Sequence, residues 1–96
     1  MKTIKTVGGH EFNVDWAAPV PITENIVMLI KIHGSDIDTV HNVFKNPEET
    51  SVLVKTIETG DNQTEVETYT DYTRYFGFSI ETDDDIIVTL KKNLEV

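Results

Sequence analysis

The sequence predicts an α+β fold: a mostly antiparallel β-sheet of about six strands with one short α-helix, in the order β-β-β-α-β-β-β. Three observations carry this. Short β-branched runs with period-two alternation recur along most of the chain. One segment alone, residues 35–45, combines helical spacing with a start and a stop signal. Clusters of Gly, Asp, Asn and Pro separate the runs, and only one helix interrupts them, which argues for antiparallel meanders. Ninety-six residues make a single domain, 1–96, with one small core.

Each element has a local reason. Lys2 to Val7 is short and β-prone. Gly8-Gly9 then suits a two-residue type I′ hairpin, because glycine accepts positive φ at both central positions. In the second arm Phe12, Val14 and Trp16 alternate with Glu11, Asn13 and Asp15, so the three apolar residues are expected on one buried face. Pro19 and Pro21 remove two backbone donors and favour an extended crossing. Ile26 to His33 is apolar on both faces, as befits a central strand with Ile26, Met28, Ile30 and Ile32 turned to the core.

Ser35 is the expected cap of the helix Ser35–Lys45, with Asp36 and Asp38 at its positive end. Ile37, Val40 and Phe44, with Val43 beside them, form its apolar stripe, and Asn46-Pro47 stops it. Ser51 to Glu58 is a strand, and 59–63 is a turn. Thr64 to Ile80 is a long β segment broken near Asp71–Arg74, with Phe76, Phe78 and Ile80 expected on one face. A charged turn, 82–85, leads to the closing strand Ile86–Lys91.

Composition excludes several chemistries. There is no cysteine, so disulfides, thiolate metal sites and cysteine nucleophiles are absent. His10, His33 and His41 fall in three different elements without the spacing of a zinc site. Asp83-Asp84-Asp85 lacks the Gly and distal Glu of a calcium loop and reads as a solvated turn. No G-x-S-x-G, phosphate-cradling loop or dinucleotide fingerprint is present. The expectation is therefore no catalytic residue, no metal and no cofactor. No run approaches the ~18 apolar residues of a membrane span, and the N-terminus has no apolar signal region.

Charge is lopsided. Residues 58–85 hold nine acids and one base, which is −8 of the net −9. Such a segment repels nucleic acid and anionic membranes and attracts a basic protein surface. Partner contact is accordingly expected from Glu65, Glu67, Asp71, Asp83, Asp84 and Asp85, together with Tyr72, Arg74 and Tyr75 as aromatic and Arg anchors. The plainer account of Tyr72, Phe76 and Phe78 is core packing, and it is the favoured one.

The second half also carries a resemblance. Phe44 is followed by Asn46-Pro47-Glu48-Glu49-Thr50, a β-run, Asp71-Tyr72-Thr73-Arg74, Phe78-Ser79-Ile80 and a closing Ile86–Lys92. With Trp16 near the start, this resembles small proteins of unknown function encoded in prophages and siphophages of Gram-positive bacteria, over residues 12–92. Asp71 stands where those proteins usually have Gly, and the stretch Arg74-Tyr75-Phe76-Gly77 is expanded. The resemblance implies a phage origin, no enzyme activity and no functional residues to carry over. The expected role is an accessory in virion, especially tail, morphogenesis, with an acidic inhibitor of a host protein as the alternative. The expected partners are a phage structural protein, a basic host protein or a second copy of the chain, in the bacterial host cytoplasm or incorporated in the virion.

Overall fold

The computed structural model describes residues 2–61, 63–82 and 84–93. Among the described residues seven strands, not six, form one antiparallel sheet: β1 (Lys2–Lys5), β2 (Glu11–Pro19), β3 (Val27–His33), β4 (Val52–Glu58), β5 (Thr64–Thr70), β6 (Arg74–Ile80) and β7 (Asp85–Lys91). Their order across the sheet is β5-β4-β1-β2-β3-β7-β6. The extra strand arises because 64–80 is two strands on opposite edges, not one interrupted strand.

Strand β2 makes this possible. Its first residues pair with β1 (Phe12 with Ile4), and its later ones pair with β3 (Ala17 with Ile30). A bulge between Val14 and Trp16 lies between the two pairings. A bulge adds one residue to one strand, bends it and lets it pass from one sheet to another. It also shifts the alternation. Ala17, 1% exposed, takes the inward place that regular alternation would give Trp16, which is 39% exposed. Trp16 therefore does not share the buried face of Phe12 and Val14.

Edge geometry requires the sheet to fold back on itself. Six strand spacings of ~4.8 Å would separate flat edges by about 29 Å. Only residues 71–73 join β5 to β6, and such a link spans at most about 14 Å. The crossover is tied at both ends. Asp71 N–H donates to Ser51 O, Asn93 N–H donates to Asp71 O, and the Tyr72 hydroxyl donates to Asn25 O. Tyr72 itself is 3% exposed and joins the core, as the packing account expects. Asp71 has φ +69, a conformation that costs an L-residue roughly 1–2 kcal/mol and glycine almost nothing.

Helix α1 (Ile37–Phe44) is shorter than the sequence reading, and its cap is Asp36 rather than Ser35. The Asp36 carboxylate accepts from Thr39 N–H at 2.9 Å and from the Thr39 hydroxyl at 2.7 Å. The carboxylate offers two acceptor oxygens and suits the helix dipole, which a hydroxyl cannot match. The buried stripe is Val40, Val43 and Phe44; Ile37 is 38% exposed at the rim. Phe44 meets Phe12 with ring centroids 5.3 Å apart. A short second helix, α2 (Pro47–Thr50), starts at Asn46-Pro47, so proline there ends one helix and begins another. The β1–β2 connection is a three-residue loop, not a two-residue turn. Thr6 N–H bonds His10 O, and only Gly9 has positive φ.

Two expected outcomes follow. Phe44→Ala lowers stability by about 3–5 kcal/mol, because a fully buried ring leaves a cavity; a urea midpoint equal to wild type would show that α1 is not core. At the crossover, melting temperatures rank Asp71→Gly above wild type and Asp71→Val below it, because a β-branched residue tolerates positive φ least. The reverse order would mean that left-handed backbone at residue 71 is not a constraint.

Candidate interaction surface

The two edge strands differ in chemistry. On β5 the exposed residues are Thr64, Glu65, Val66, Glu67, Thr68 and Thr70, and charge of one sign protects the edge. Glu67 lies opposite Lys55 with 3.4 Å between the charged groups, and it accepts a short hydrogen bond from the Tyr69 hydroxyl. That hydroxyl, followed by Lys55, holds the Glu67 carboxyl below its usual range. Burial, followed by Glu67, pushes the Tyr69 phenol well above its own. Lys55 is buried and reaches across the interior to donate to Ala17 O at 2.7 Å, so its ammonium has partners on both sides.

On β6 the edge is apolar and aromatic. Phe76 is 51% exposed, Phe78 37% and Ile80 58%, so neither Phe76 nor Phe78 joins the buried core, contrary to the packing account. They do not share a face. Tyr75 pairs with Leu90 and Phe78 with Val88, so an extra residue is accommodated between them, where Gly77 has φ +105. Tyr75, Phe78 and Ile80 consequently align with the buried Leu90, Val88 and Ile86, while Phe76 turns to the outer face. There its ring lies 4.2 Å from Lys91 Nζ and 5.5 Å from the Arg74 guanidinium. Gly77 inside a strand pattern was the one signal for this bulge. On the inner side Tyr75 contacts His41, its hydroxyl 3.1 Å from Nδ1, and burial raises the Tyr75 phenol. Phe78 also packs edge-on to His41.

The sequence-predicted contact residues do not form one surface. Glu65 and Glu67 belong to β5, and Arg74 and Tyr75 to β6 on the opposite edge. Asp71 is exposed at the crossover, whereas Tyr72 is buried and cannot anchor a partner. Its ring meets Lys92 at 5.5 Å. Asp84 is exposed in the β6–β7 turn. Asp83 lies outside the described residues. The acidic segment thus ends in two separate turns, one in each half of the sheet.

Asp85 has another task. It lies directly opposite His33, with Oδ1 2.7 Å from Nδ1. Asp15, raised by the β2 bulge, completes a group whose ligand atoms all lie within 4.8 Å of one another. Two carboxylates and an imidazole are a donor set that suits a divalent cation. The Lys31 ammonium, however, lies 3.8 Å from Asp15 and 4.0 Å from Asp85, so a positive charge already serves both carboxylates. The cluster ties β2, β3 and β7 together on the outer face. The described surface also carries two hollows. One, of about 460 Å³, lies at the β4–β5 turn beside Glu58 and Asp61. The other, of about 470 Å³, lies between the start of α1 and Ile80 and Ile86. The carboxylate of Asp36 in the second is held below its usual range by its bonds to Thr39.

The His33–Asp85 pair predicts a pH dependence. The Asp85 hydrogen bond raises His33 above 6.5, and His33 lowers Asp85 below 3.8. The His33 contribution is complete below pH 6.5 and fades as pH rises through the raised value. The Asp85 contribution is complete above pH 3.8 and fades as pH falls through the lowered value. Thermal stability is therefore expected to decline above pH 6.5 in wild type. The decline should disappear in His33→Gln; an unchanged profile in that variant would remove the pair as its source.

Among the described residues no helix is long and apolar enough to cross a membrane. No protein family, no curated protein and no solved structure matches this chain.

Proposed function

We propose that the chain acts by protein–protein contact through the β6 edge, as a non-enzymatic accessory in phage virion morphogenesis, with the tail as the favoured site of action. The observation that carries the contact is the contrast between the two edges. Natural sheets guard a free edge with charge, and β5 does so with Glu65 and Glu67. Strand β6 instead exposes Phe76, Phe78 and Ile80, the composition of an adhesive edge. The resemblance of residues 12–92 to small phage-encoded proteins supports the setting.

A second reading has its own observation. The β4–β5 hairpin carries Glu58, Asp61 and Glu65 on exposed positions, as an inhibitor of a basic host surface would.

The test is affinity capture of the tagged chain from phage-producing cells, with retained proteins identified by mass spectrometry. Phage structural proteins should be retained by wild type and lost from Phe78→Asp. Retention of a host protein alone, lost when Glu58, Asp61 and Glu65 are reversed to Lys and indifferent to Phe78→Asp, would replace this proposal with the inhibitor reading.

A further inference from the structure

We propose that the β6 edge is a self-association surface, on which two copies of the chain pair β6 against β6, antiparallel, about a two-fold axis. The inference rests on the contact reading above and names the partner that the edge itself fits, a second copy.

The two ends of β6 carry opposite charge. At its start Arg74 lies directly opposite Lys91, and Lys92 follows. Like charges directly opposite in a sheet are destabilising. None of the three forms an ion pair with a carboxylate among the described residues; each is placed over an aromatic ring instead. In a chain of 17 acids and eight bases, three neighbouring bases without an acid are a local conflict. Just past the other end of β6, Glu81 and Asp84 are exposed and likewise without an ion pair among the described residues.

A strand that is basic at one end and acidic at the other is self-complementary when it meets a copy of itself running the opposite way. Two-fold symmetry makes each such contact twice. The register that sets Arg74 of one copy against Glu81 of the other also sets Tyr75 against Ile80 and Phe76 against Ser79. Directly opposed residues of an antiparallel pair share a face. Tyr75 and Ile80 both lie on the core side, and Phe76 and Ser79 both lie on the outer side, since Ser79 pairs with Ile87 between the buried Ile86 and Val88. Charge and face therefore select the same register. The pairing also provides the free β6 backbone groups with partners and covers the exposed surface of Phe78 and Ile80. Self-pairing through β5 would instead set acids against acids.

Light scattering and sedimentation equilibrium of the untagged chain test this. Wild type should reach twice the 10.9 kDa chain mass as concentration rises, and salt should weaken the association. Arg74→Glu alone and Glu81→Lys alone place like charges across the axis and should each remain monomeric, with melting curves that show folded protein. An equimolar mixture of those two variants should regain the dimer, because each then meets its opposite charge. A wild type that stays monomeric at every concentration overturns the inference. So does a dimer that ignores both reversals, or a mixture that fails to recover. The contact reading is judged separately: if wild type is monomeric but phage structural proteins are still lost from Phe78→Asp, self-association fails and that reading stands.

Discussion

The bulge between Val14 and Trp16 makes β2 a member of both halves of the sheet, and the rest of the architecture depends on that sharing. Two sheets that share a strand turn their apolar faces toward one core without a long connection. Phe12 and Val14 face that core before the bulge and Ala17 after it, where they meet residues of β3, β4, β7 and α1. The same extra residue sends Trp16 outward and brings Asp15 beside His33 and Asp85. One backbone irregularity thus sets both the packing inside and the ion-pair network outside.

The crossover at residues 71–73 closes the opposite corner. Its constraints are severe for its length: a left-handed residue at Asp71, a buried ring at Tyr72 and three hydrogen bonds to Ser51, Asn25 and Asn93. The left-handed backbone at Asp71 is one that glycine would adopt without strain. Lys55 adds a polar link across the interior, from β4 to the Ala17 carbonyl in the other half of β2. A buried ammonium with an acceptor and a facing carboxylate helps specify how the halves meet.

The proposed function places contact at the edges of this scaffold. One surface hollow is lined by residues of the β4–β5 turn, and another by the capped start of α1 with Ile80 and Ile86. The sheet is open, so it retains two edges, and the sequence treats them differently. One carries charge of a single sign. The other carries aromatic and aliphatic surface with bases at its start and acids just beyond its end, an arrangement suited to contact with another chain.

By itself the sequence determined what local physics controls. Alternation in Ile26–His33 and Ile86–Lys91 marked the strands and the core faces Met28, Ile30, Ile32, Ile86, Val88 and Leu90, because period two needs only neighbours along the chain. Helical spacing marked α1 with Val40 and Phe44, although its cap moved to Asp36 and Ile37 fell at the rim. What it could not determine was which strand meets which. That 64–80 splits to opposite edges, that Trp16 and Phe76 turn outward, and that His33 joins Asp15 and Asp85 all follow from pairings between residues far apart in sequence. Each bulge displaces the alternation by one, and a one-residue shift reverses every face beyond it. The charge count was legible from the start. Its division into two separate acidic turns, and the meeting of Arg74 with Lys91, were decided only when the chain folded.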